Sequence, residues 1–140
     1  MTNQSTWTEH FPGNLLWSNA VLMTKAMAPY GGSVALGEID QVCQRLMDKQ
    51  IDHEAWQREW CALGARLEKV ADQAAAEGRQ HTAGNYYLRA GMYYFTGERF
   101  VPPGDLKREL GRKALDCQHA GLRRRHPNVE VVEGTYGGTT

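Results

Sequence analysis

Along most of the chain apolar residues recur at steps of three and four, the spacing that gathers side chains on one face of a helix. Leu36, Ile39, Val42, Cys43, Leu46 and Met47 form the first clear series. The strongest follows Asp52, a good N-cap, and runs through Trp56, Trp60, Leu63, Leu67, Val70 and Ala74 until Gly78 ends it. After a short break at 78–80, Ala83, Tyr86, Tyr87, Ala90, Tyr93 and Tyr94 make a second stripe. Two such helices joined by so short a turn are expected to fold back as an antiparallel hairpin, small alanines facing large aromatics. Pro102, Pro103 and Gly104 then interrupt the pattern, Asp105 is the expected N-cap, and Leu106, Leu110, Ala114 and Cys117 define a further helix to about Leu122.

The flanks read differently. Residues 1–18 are loop-like, with Pro12 and Gly13 as breakers, and their two tryptophans, Trp7 and Trp17, predict an arm packed on the body. A short helix is expected over 19–28, stopped by Pro29 and the pair Gly31 and Gly32. Beyond Pro127, Val129, Val131 and Val132 read as a strand, and Gly134 to Gly138 as a turn toward a second one. An isolated hairpin is marginal in water, so this pattern points to a larger sheet. The fold expected is mainly α, about five helices in a bundle of antiparallel hairpins, followed by the start of a sheet.

Charge narrows the partners. Sixteen basic and sixteen acidic residues cancel, which gives no reason to expect nucleic acid or an anionic membrane as a partner. Three cysteines, Cys43, Cys61 and Cys117, lie within helical patterns, and with no apolar leader or spanning segment the expected setting is a reducing cytoplasm.

Few residues offer chemistry. Of the three serines, Ser5, Ser18 and Ser33, only Ser33 stands in anything like a nucleophile elbow. Its surroundings, Gly31, Gly32, Ser33, Val34 and Ala35, put alanine where the last glycine belongs and follow a helix end rather than a strand, so a loop serine is the better reading. Cys117 and His119 point to different helix faces with no second pair to complete four ligands, and no metal site is expected. Nor is there a spaced-glycine phosphate cradle, and no cofactor is expected. Cys61 reads as a small buried hydrophobe. Arg123, Arg124, Arg125 and His126 suit the negative pole of a helix better than an anion site. Tyr86, Tyr87, Tyr93, Tyr94 and Phe95 stand out because two tyrosine pairs a helical repeat apart are not expected all to face one narrow core.

The run from Trp56 to Phe100, WQREWCALGARLEKVADQAAAEGRQHTAGNYYLRAGMYYFTGERF, resembles the helical N-terminal region of the α/β-hydrolases that include dihydroxypseudooxynicotine hydrolase and related esterase-like and polyketide-processing enzymes. The likeness extends over about Leu36 to Thr140. It is carried by the two-tryptophan helix, by Tyr86 to Tyr94 with Arg89 between the pairs, and by the passage from Cys117 to Arg125 into VEVVEGTYGGTT. The resemblance implies a helical cap over 19–126 that covers a substrate site and contributes dimer contacts, with 127–140 beginning a truncated hydrolase sheet. It further implies a serine, acid and histidine triad acting on a C–C bond or ester of a small-molecule substrate, with every catalytic residue in the sheet domain and none in these 140 residues. Inactivity of the chain alone is therefore expected, as is self-association through apolar surface left uncovered. Tyr86, Tyr87, Tyr93 and Tyr94 are the substrate-cover candidates. The alternative is a non-catalytic interaction module, because Trp60, Leu63, Gly64, Leu67, Ala76 and Ala83 partly match a tetratricopeptide repeat, though no second copy follows.

Overall fold

The structure, a computed structural model, describes residues 6–28 and 32–138. Among them are five helices: α1 (Leu15–Ala26), α2 (Leu36–Leu46), α3 (His53–Ala76), α4 (Gln80–Glu98) and α5 (Asp105–Arg125). Helices α3, α4 and α5 run up, down and up as two successive antiparallel hairpins, with α4 in the middle, and α1 and α2 close over the N-terminal end of α3. The predicted bundle is thus present. The predicted strands are not: residues 126–138 are exposed and irregular, with an isolated bridge at Tyr136. Val131 and Val132 have the residue preference of a strand but nothing opposite them over their length, and a strand without a ladder has no stabilising pairs.

Local chemistry explains most boundaries. Asn14 accepts a hydrogen bond from the Trp17 amide at 3.1 Å, so α1 starts at Leu15 rather than near Asn19. Trp17 therefore belongs to a helix instead of an arm. The arm itself is pinned by Phe11, which is fully buried edge-on to Trp17, and by Ser18, whose hydroxyl bonds both the amide and the carbonyl of Phe11 at 3.1 Å. Trp7, expected to be packed away, is 58% exposed and lies instead under the ammonium of Lys25. Asp52 caps α3 as predicted, accepting from the Ala55 amide at 2.8 Å. Gly78 at φ +78° supplies the left-handed turn that lets Arg79 reach back to the Ala74 carbonyl at 2.9 Å. Asp105 is not a cap. Gly104 holds that position, and Asp105 is the first helical residue, paired with Arg108 one turn on.

Two apolar stripes shift relative to their sequence pattern. Trp56, Trp60, Leu63 and Leu67 are buried, but the stripe then passes to Ala71, leaving Val70 38% exposed. Ala74, the next member of the series, is buried again, so Val70 lies only at the margin of the buried face. On α5, Leu110, Ala114, Cys117 and Gly121 face the bundle while Leu106, past the end of α4, stays half exposed.

The core at the α3 N-terminus is aromatic. Trp17 and Trp56 lie 4.9 Å apart, Trp56 and Trp60 5.5 Å, Trp60 and Tyr93 5.8 Å, and Phe100 closes the other side of Trp56 at 5.1 Å. The tilted and edge-on geometries are those in which ring quadrupoles attract. The indole of Trp56 donates to the Thr96 carbonyl at 2.8 Å, and that of Trp17 donates to His53 Nδ1 at 3.2 Å. The expected alanines, Ala74, Ala83 and Ala90, are buried between the helices, and glycines add close approaches of their own. Gly91 of α4 lies against the Ala114 carbonyl of α5, Gly97 against Cys61 and Trp60 of α3, and Gly121 of α5 against Leu88 of α4.

Candidate functional site

The four tyrosines singled out by the sequence all fall on α4, and the structure gives them different tasks. Tyr93 and Tyr94 are neighbours in sequence and project to different sides, yet both are buried, because α4 is covered on more than one side. Tyr93 reaches across to the start of α2. Its hydroxyl donates to the Glu38 carboxylate at 2.8 Å and accepts from the Ala35 amide at 2.9 Å. Tyr94 reaches α3, donating to Glu68 at 2.7 Å. Tyr87, half-buried, donates to Asp72 of α3, and its ring carries the guanidinium of Arg124 at 4.9 Å. Tyr86 is half-buried beneath the Arg89 guanidinium, 4.5 Å from its ring centre. Phe95 faces solvent.

The carboxylates that meet these phenols are the residues sequence reasoning missed. Glu68 accepts from both Tyr94 and Lys113 Nζ at 2.8 Å, tying α3 to α4 and α5. Burial opposes its ionisation, but the hydrogen bonds from Lys113 and Tyr94 outweigh that and hold its pKa below the usual carboxylate value. Glu38 is shared by Tyr93 and Arg89, whose Nη2 lies 3.4 Å away. A signal was present: Glu68 and Asp72 directly follow Leu67 and Ala71, so they border the buried stripe. Burial and these carboxylates raise the phenol pKa values, that of Tyr87 to about 12 and those of Tyr93 and Tyr94 further. At neutral pH the three phenols are hydrogen-bond donors and none is a base.

The other residues considered for chemistry are structural. Cys43, Cys61 and Cys117 are buried free thiols. Burial pushes Cys43 and Cys117 up to about 12 and raises Cys61 as well, so none is an activated nucleophile. Ser33 is buried just before α2, while Gly31, part of its elbow-like setting, lies outside the described residues. Among the described residues no cluster of His, Cys, Asp and Glu has the makings of a metal site. Within the basic run, Arg124 donates to Gln80 and to the Ala120 carbonyl, and Arg125 to Asn85, which staples the end of α5 to the start of α4. The larger surface cavities lie away from the tyrosines. The most apolar, about 450 Å³, is bounded by His53, Gln57, Phe100, Val101 and Leu106.

Over 63 residues, 45% of the chain, the sequence is 36% identical to a protein of Penicillium citrinum named alpha/beta hydrolase gkaG. Over 80 residues, 57% of the chain, it is 35% identical to a protein of Aspergillus aculeatus named hydrolase acrC. The chain is thus similar to segments of proteins named as hydrolases, and it covers 14% and 18% of their lengths. No family profile and no solved structure matches it. No described helix is long and apolar enough to cross a membrane.

Proposed function

We propose that this chain is the helical cover of an α/β-hydrolase, lying over the substrate site of a catalytic sheet domain and sharing in dimer contacts. The observation that carries this reading is the partial identity to the two hydrolases, and the braced, aromatic-cored bundle is compatible with it. A hydrolase that attacks a carbonyl with serine needs a site from which bulk water is excluded, and a rigid helical layer serves that purpose. The hydroxyls of Tyr87, Tyr93 and Tyr94 are committed to carboxylates, so those residues act as braces and the substrate-facing part falls to Tyr86. The tetratricopeptide alternative fits less well, because helices of 24 and 19 residues exceed a 34-residue repeat.

The test is to express the gene's reading frame across and beyond Thr140 and to assay it beside the 140-residue chain on aryl esters and β-diketones. The reading requires hydrolysis by the extended protein and none by the chain alone. In the active protein Tyr86→Ala should raise KM more than it lowers thermal stability. A frame that encodes no serine elbow would refute the assignment, and partner capture by the helical hairpin would then become the question.

A further inference from the structure

On the side of the bundle formed by the N-terminal arm, α1 and α2 lies a cavity of about 330 Å³, bounded by Trp7, His10, Lys25, Asp40, Cys43 and Met47. Its polar groups are unusual. Lys25 is only 4% exposed, yet among the described residues its ammonium makes one hydrogen bond, to the Trp7 carbonyl at 3.2 Å, and otherwise sits 4.1 Å from the centre of the Trp7 ring. No salt bridge joins it to a carboxylate among the described residues. An ammonium has three donors, and leaving two without protein acceptors in a largely buried place is costly. Beside it His10 is 8% exposed and among the described residues its Nε2 has no hydrogen-bond partner; Asp40 Oδ1 is 3.7 Å away, beyond hydrogen-bond range.

We propose that this cavity binds the carboxylate of a small monoanionic molecule, one oxygen on Lys25 Nζ and the other on His10 Nε2–H, with Trp7 as its wall. With the imidazole proton placed on Nε2, the two groups suit the two oxygens of a planar carboxylate. The charge balance selects a monoanion: one ammonium stands inside, and the half-exposed Asp40 at the edge repels a second negative charge. An amine is excluded by Lys25 itself. Burial and the neighbouring Lys25 hold the His10 pKa down, so its imidazole is neutral at pH 7 and carries a single N–H for the ligand. Met47 and Trp7 leave the outer part of the cavity suited to a short apolar tail. The site lies apart from the α4 tyrosines and does not rest on the hydrolase reading.

The exposed tryptophan supplies the readout. Trp17, Trp56 and Trp60 are fully buried, so solvent-quenchable indole emission comes from Trp7. The full chain would be titrated with propionate at constant ionic strength and pH 7, with chloride, propylammonium and inorganic phosphate as parallel arms. Saturable protection of Trp7 by propionate alone is expected. Lys25→Met should weaken it at least tenfold, and Asp40→Asn, which removes a repulsive surface charge, should tighten it about threefold or more. A propionate response no different from that to chloride, or binding retained in Lys25→Met, would overturn the site. Tighter binding of phosphate than of propionate would overturn the ligand class. If Lys25→Met does not fold, as judged by circular dichroism, Asp40→Asn decides, and unchanged affinity there counts against the proposal.

Discussion

Replacing a helical glycine by alanine ordinarily stabilises a helix by about 0.8–1 kcal/mol, because alanine loses less backbone freedom on folding. This protein contains two helical glycines for which that expectation should split. At Gly111 on α5 an added Cβ meets nothing within 4 Å, so Gly111→Ala should stabilise by nearly the full amount. At Gly91 on α4 the same Cβ would stand 2.8 Å from the Ala114 carbonyl oxygen and 2.8 Å from Gln118 Nε2. That is several tenths of an ångström inside ordinary contact, and the carbonyl belongs to helical backbone that cannot swing aside. The helices α4 and α5 must part, and the hydrogen bond from Gln118 to the Leu88 carbonyl, 2.8 Å, must stretch with them. Overpacking of this kind costs about 1–3 kcal/mol, which cancels or outweighs the propensity gain, so a net loss of up to about 2 kcal/mol is expected for Gly91→Ala. Urea unfolding of the two variants against the parent chain measures both signs in one series. Two variants equally stabilised would refute the close α4–α5 crossing, and two equally destabilised would show that the helix-propensity argument fails on α5.

Tyr94→Phe deletes a buried hydroxyl donor to the ionised Glu68 and should cost about 1–2 kcal/mol by urea unfolding; a loss below about 0.5 kcal/mol would mean that Lys113 alone serves the carboxylate. Because the folded Glu68 pKa lies below its ordinary 4.5, the unfolded chain binds the proton more readily, and the stability this group contributes is present above that value and lost as pH falls through the folded one. Glu68→Gln should therefore be less stable at neutral pH but show a shallower fall in melting temperature on acidification, and parallel curves would exclude that linkage. Asn14→Ala removes the α1 cap and its bond to the Gln50 carbonyl, for a loss of about 1 kcal/mol in the same unfolding assay.

Which features were legible in the sequence follows from where the stabilising interactions act. The caps and breaks at Asp52, Gly78 and the prolines 102–103 are local, and they are where the pattern placed them. Within the stripe from Trp56 to Ala74, Val70 is the exposed member because it lies at the edge of the face that Leu67, Ala71 and Ala74 bury. Helix α1 begins at Leu15, ahead of the expected 19–28, because the Asn14 side chain caps it, a polar contact that the apolar pattern does not carry. The terminal valines show the opposite limit: alternation of residue type can favour a strand, but a strand forms only when another supplies its hydrogen bonds.

Four tyrosines on one helix are too many for one apolar face, but a side chain that does not suit an apolar face need not face a pocket. A phenol reaching the edge of a helix contact meets whatever borders the neighbour's stripe, and here that border is acidic at Glu38, Glu68 and Asp72. Each pair places a carboxylate acceptor against a phenol donor in partial burial, a charge-assisted kind of hydrogen bond. The three pairs also leave α4 in different directions, two toward α3 and one toward α2, so together they resist both sliding and rotation of the central helix. The glycine crossings alone would hold its distance from α3 and α5 but not its register. The register of α4 is therefore set by polar contacts at the rim of the apolar core, and Tyr86 joins that bracing only through the Arg89 guanidinium above its ring.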